Sequence, residues 1–98
     1  MIARRVEISG IVQGVGFRPF VYLLAKSHGL NGEVANTSAG VSVHLEGKPS
    51  RIEAFCAEIQ EKKPRLAHIT EITAHPASLR ARQGFHIAKS SARAHGST

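Results

Sequence analysis

Cysteine is nearly missing from this chain: Cys56 stands alone, so an internal disulfide is excluded and the fold must rest on a packed core. No apolar run approaches the roughly 20 residues that span a bilayer. The N-terminus lacks the basic start, apolar stretch and small-residue cleavage site of a secretory signal, which points to the cytoplasm. Metal-ligand spacing is also missing. His28, His44, His68, His75, His86 and His95 follow no recognised pattern, and all read as surface or hydrogen-bond-satisfied residues with no metal. Ser90 and Ser91 have no histidine and acid at the spacing of a hydrolytic triad. Acidic residues are few, 7 against 13 Lys and Arg, giving a net charge of +6. Such a surface attracts anions, either nucleic acid or a phosphorylated metabolite.

What is present suits one compact domain. The 98 residues are 42% hydrophobic, ordinary for a globular protein and too apolar for a disordered one. Arg4 to Val12 reads as a strand, with Val6, Ile8, Gly10 and Val12 on one face and Arg5, Glu7 and Ser9 on the other. Pro19 suits the first turn of a helix running to about His28, its apolar face formed by Val21, Leu24 and Ala25 and its end capped by Gly29. Glu33 to Thr37 and Val41 to Leu45 form a hairpin around Ser38-Ala39-Gly40. Ser50 to Glu53 reads as a capping box opening a second helix, with Ile52, Phe55, Cys56 and Ile59 as its buried stripe and Pro64 as its stop. Cys56 on that stripe is a small core residue rather than a nucleophile. His68 to Ala74 is a strand whose Ile69 and Ile72 break strict alternation, which predicts a bulge. Phe85 to Ala88 is a short late strand. The order βαββαβ predicts an α+β ferredoxin-like sandwich, two helices on one face of a four-stranded antiparallel sheet. Residues 1–90 form the domain, and 91–98 are a flexible tail or the start of a linker.

One segment carries a chemical pattern. Gln13-Gly14-Val15-Gly16-Phe17-Arg18 follows a strand and opens a helix, where unpaired N–H groups and a partial positive charge favour anions. The glycines let the backbone approach a ligand, and Arg18 brings a planar fork of donors that matches phosphate oxygens. A tight turn with a solvated arginine fits the same spacing equally well.

Gly10-Ile11-Val12-Gln13-Gly14-Val15-Gly16-Phe17-Arg18 resembles the first signature of the acylphosphatases. Gly32-Glu33-Val34-Ala35-Asn36-Thr37-Ser38-Ala39-Gly40 resembles the second, and the likeness extends over roughly Arg4 to Ala88. Arg18-Pro19-Phe20-Val21 and Pro64-Arg65-Leu66-Ala67-His68-Ile69 are similar to the HypF branch, the N-terminal acylphosphatase-like domain of the hydrogenase-maturation carbamoyltransferases. Glu33 stands where free-standing acylphosphatases usually carry an aromatic, and the turn after Asn36 is one residue shorter; both fit that branch. The resemblance implies hydrolysis of an acyl phosphate, with carbamoyl phosphate as the substrate expected of the HypF branch, without metal, cofactor or covalent nucleophile. It implies that Arg18 and the amides of Gln13 to Arg18 bind the phosphoryl group and that Asn36 holds the attacking water. It further implies downstream domains of a larger carbamoyltransferase as partners. A non-catalytic phosphate-binding module shares the loop but not the turnover. An RNA-binding domain shares the element order, but it needs exposed aromatics on a central strand. Here the aromatic segment precedes a helix and contains Pro19, which argues against nucleic acid as a partner.

Overall fold

A computed structural model describes residues 1–81 and 83–88; the expected tail, 91–98, lies outside the described residues. The elements are β1 (Ile2–Ile11), α1 (Phe17–Ser27), β2 (Asn31–Asn36), β3 (Gly40–Gly47), α2 (Pro49–Lys62), β4 (His68–Ala77) and β5 (Phe85–Ile87). The sheet order is β4-β1-β3-β2-β5. The first four strands pair antiparallel, as the βαββαβ order predicts. The fifth pairs parallel to β2, so the complete sheet is mixed rather than purely antiparallel. The reason is topological: β4 and β5 lie at opposite edges, and the chain between them crosses one end of the sheet.

Alternation of apolar residues places Val6 and Ile8 of β1, Val34 of β2, and Val41, Val43 and Leu45 of β3 on the helix side. Against them pack Val21, Leu24 and Ala25 of α1 and Ile52, Phe55 and Ile59 of α2, all buried. Each large side chain so buried contributes about 1.5 to 3 kcal/mol. Cys56 sits half-buried at the core margin, and that burial pushes its thiol pKa up, against the pull of Arg4. It is a packing residue, as the stripe predicts.

Local signals succeed where a single constraint decides the geometry. The bulge in β4 is present: Ser9 pairs with Glu71 and Gly10 with Ile69, which leaves Thr70 as the extra residue. Gly29 follows α1 in a paired cap, its N–H donating to Lys26 O at 3.0 Å while Leu30 N–H donates to Ala25 O at 3.0 Å. The capping box fails. The N-cap of α2 is Lys48, in extended conformation with no side-chain cap bond, and Pro49 is the first helical residue. Proline fixes φ for the first turn and forces the residue before it to be extended, so it overrides the Ser50 signal one residue later. Similarly, α1 opens at Phe17, two residues before Pro19.

Candidate active site

The loop between β1 and α1 is shaped by two glycines in left-handed conformation, Gly14 at φ 75° and Gly16 at φ 76°. A Cβ at either position would meet nothing within 4 Å, so their role is conformational and the loop's inner face is open. Gly16 is the N-cap of α1, and Phe20 N–H closes the first turn on its carbonyl at 3.2 Å. Among the described residues, no backbone N–H from Gly14 to Arg18 donates to a protein acceptor. Those amides and the positive end of the helix bring donors and positive potential together in a cradle at the start of α1.

Arg18 is the second residue of α1, partly exposed, and the first turn contains no acidic residue. Its guanidinium makes no hydrogen bond or ion pair among the described residues. A cation in the first turn opposes the helix dipole by about 0.3 to 1 kcal/mol, a cost that an anion beside it would offset. Phe17 differs from the other loop residues. It is 1% exposed, its ring tilted against that of Phe20 at a centroid distance of 5.6 Å, so only its backbone can face a ligand. Val15 is half-buried against the same core and anchors the loop from below.

Gln13 does something that its position in a glycine-rich loop did not foretell. Its side-chain Nε2 donates to Thr37 O at 2.7 Å and to Gly40 O at 2.7 Å. Both amide hydrogens are thereby spent on the β2–β3 hairpin. This latch spans a cavity of about 270 Å³ between the loop and the hairpin tip. It couples the cradle to the residue that follows Asn36. Asn36 ends β2, paired with Val41, and lies on the helix side of the sheet with Val34. It is half-buried, and its Oδ1 is shut off from solvent. The fold therefore brings Asn36 and the Gln13 to Arg18 loop to the same end and the same face of the sheet. Replacing Gln13 by alanine is expected to lower stability by about 1 to 2 kcal/mol, the net worth of two hydrogen bonds at a partly exposed site. Urea unfolding of parent and variant checks this.

Among the described residues, no group of three or more His, Cys, Asp or Glu side chains is placed to hold a metal ion. No described helix is long and apolar enough to cross a membrane.

Residues 4–87 match the acylphosphatase family. The chain belongs to that family. It is 46% identical over 68 residues to the probable carbamoyltransferase HypF of Methanocaldococcus jannaschii, covering 69% of this chain and 9% of that protein. The acylphosphatase fold also superposes on full-length HypF in its phosphate- and nucleotide-bound form, with a TM-score of 0.87 and 43% identity over 91% of this chain and 12% of the other. It superposes on the acylphosphatase of Bacillus subtilis with a TM-score of 0.84 and 31% identity, over 90% of this chain and 99% of that one. The chain thus spans about a tenth of the length of the HypF proteins it matches and nearly the whole of a small acylphosphatase.

Proposed function

We propose that this acylphosphatase domain hydrolyses an acyl phosphate, with carbamoyl phosphate as its substrate and a larger HypF-type carbamoyltransferase as its context. The observation that carries the reading is Arg18, an arginine at the positive end of α1 with no partner among the described residues, beside a run of loop amides that bond no described acceptor. The phosphoryl oxygens occupy the cradle, held by the amides of Gly14 to Arg18 and by the guanidinium fork. Asn36 orients a water toward phosphorus. The new P–O bond forms as the bond to the acyl oxygen breaks, and the carboxylate or carbamate leaves with the bonding pair. The water's proton passes to a phosphoryl oxygen. Both leaving groups are weakly basic, so positioning and charge stabilisation suffice without a strong acid.

The direct test is phosphate release from acetyl phosphate and carbamoyl phosphate by the folded domain. Turnover of carbamoyl phosphate with no turnover of acetyl phosphate, or the reverse, fixes the acyl group. No turnover of either sinks the hydrolase reading. Binding has its own test. Inorganic phosphate is expected to raise the melting temperature well beyond matched chloride. At about 100 times its dissociation constant, a ligand specific to the native state adds ~2.7 kcal/mol. In a domain of this size each kcal/mol is worth about 4 to 8 °C. Amide shifts centred on Val15 to Arg18 locate the anion; shifts spread evenly over the surface speak against the cradle.

A further inference from the structure

The face of the sheet away from the helices is not a plain solvated surface. Across it, one residue from each strand falls into register: His75 of β4, Arg5 of β1, His44 of β3, Glu33 of β2 and His86 of β5. At the centre, His44 and Glu46 are buried, 2% and 1% exposed, with His44 Nε2 and Glu46 Oε2 2.8 Å apart. The segment after β4 roofs this pair, and Arg80 N–H donates to the same Glu46 oxygen at 2.6 Å. Beside the pair opens a cavity of about 400 Å³ lined by Arg5, His44, His75, Pro76, Ser78 and Arg80. It is larger than the cavity at the loop, and the two share no lining residue. Arg5 and Ile11 are six residue steps apart along β1, about 20 Å of strand.

Two buried nitrogens at this cavity, His44 Nδ1 and Arg5 Nε, have no hydrogen-bond partner among the described residues. Buried polar atoms are nearly always satisfied by protein, water or ligand, so this pair gives the cavity two polar contact points for an occupant. The ion pairs nearby are loose: Arg5 lies 4.0 Å from Glu7, and Arg80 lies 3.9 Å from Glu33. Neither guanidinium is committed to a two-pronged partner. With Nε2 facing the Glu46 carboxylate, Nδ1 is the ring nitrogen left at the cavity. The nitrogen-bearing side chains at the cavity are therefore two guanidiniums and two imidazole rings, His44 and His75.

We propose that this cavity is a second anion site, which takes a small oxyanion, a phosphate or a carboxylate group, held by Arg5, Arg80, His44 and His75. Both are products of acyl phosphate hydrolysis, but the site does not depend on that reaction and stands or falls separately from the loop.

The experiment uses Arg18→Gln protein, in which the loop is silenced. Inorganic phosphate and acetate are titrated separately, and the His44 and His75 ring resonances and the Arg80 amide are followed by NMR. The expected result is that all three move along one saturation curve with at least one of the two anions and not with matched chloride. The tighter anion identifies the class of ligand. Arg5→Gln added to this background should weaken binding roughly tenfold or more, the scale of a lost charge-assisted hydrogen bond. His75→Gln, at an exposed position that leaves the fold intact, should weaken it as well. If the rings stay unmoved at anion concentrations that saturate the loop of the parent, the proposal is overturned. Equal shifts with chloride, or binding unchanged by both substitutions, overturn it too.

Discussion

Arg18→Gln is expected to abolish acyl phosphate hydrolysis while leaving the fold as stable as before, or slightly more so. The two halves of this result have different physical origins. Activity falls because the guanidinium meets charge on the transferring phosphoryl group, a contribution worth roughly 10³ to 10⁵ in rate where an arginine serves phosphoryl transfer. Stability holds because Arg18 is partly exposed and makes no bond to the described protein, so its loss opens no cavity and strands no partner. It also stands in the first turn of α1, where a cation opposes the helix dipole by about 0.3 to 1 kcal/mol. Removing that repulsion should raise the melting temperature slightly in the absence of phosphate and erase most of the rise that phosphate produces. Lysine should rescue little, because a point charge cannot reproduce the planar two-pronged contact. The measurements are steady-state hydrolysis and thermal melts of the three proteins with and without phosphate. A variant that unfolds, or one that retains turnover, removes Arg18 from its assigned role.

The parts of this molecule legible in the sequence are those governed by one local rule. The alternation in Val41, Val43 and Leu45 specifies a helix-facing strand. The Gly14 and Gly16 spacing specifies a loop that ordinary residues do not adopt, and the structure gives both a left-handed backbone. The parts that stayed hidden depend on distant chain segments. Gln13 reads as one more polar loop residue until the hairpin carbonyls of Thr37 and Gly40 are seen 2.7 Å away. His44 reads as the solvent side of an alternating strand, yet it is buried, because β3 is the central strand and the segment after β4 crosses its far face. One signal was present: two ionisable residues, His44 and Glu46, share the outer face of the strand that the βαββαβ order makes central. The parallel pairing of β5 had no such signal, since Phe85–Ile87 is too short for its pattern to fix direction.

Asn36 separates a hydrolase from a module that merely binds phosphate, since only the hydrolase needs a group that places water. The fold puts Asn36 at the right end of the sheet, and the Gln13 latch fixes the loop against the residue that follows it. With Oδ1 shut off from solvent, the Asn36 amide would act on the water through its Nδ2 donor, which sets the direction of attack without taking the proton. Asn36→Ala should therefore lower turnover by about 100-fold or more, the scale of losing a positioned donor in an active site. Phosphate affinity should change less than about threefold, because the amide acts on the water and not on the anion, which leaves the loss in kcat. Asn36→Asp should fail as well, through repulsion between its carboxylate and the bound phosphate, and unlike alanine it should weaken phosphate binding. Turnover and phosphate affinity are to be measured on the same folded samples. If Asn36→Ala keeps its turnover while Arg18→Gln is inactive, another group positions the water. If both affinity and turnover fall together in Asn36→Ala, the residue shapes the cradle through the hairpin and the Gln13 latch, and the kinetic role assigned to its amide is wrong.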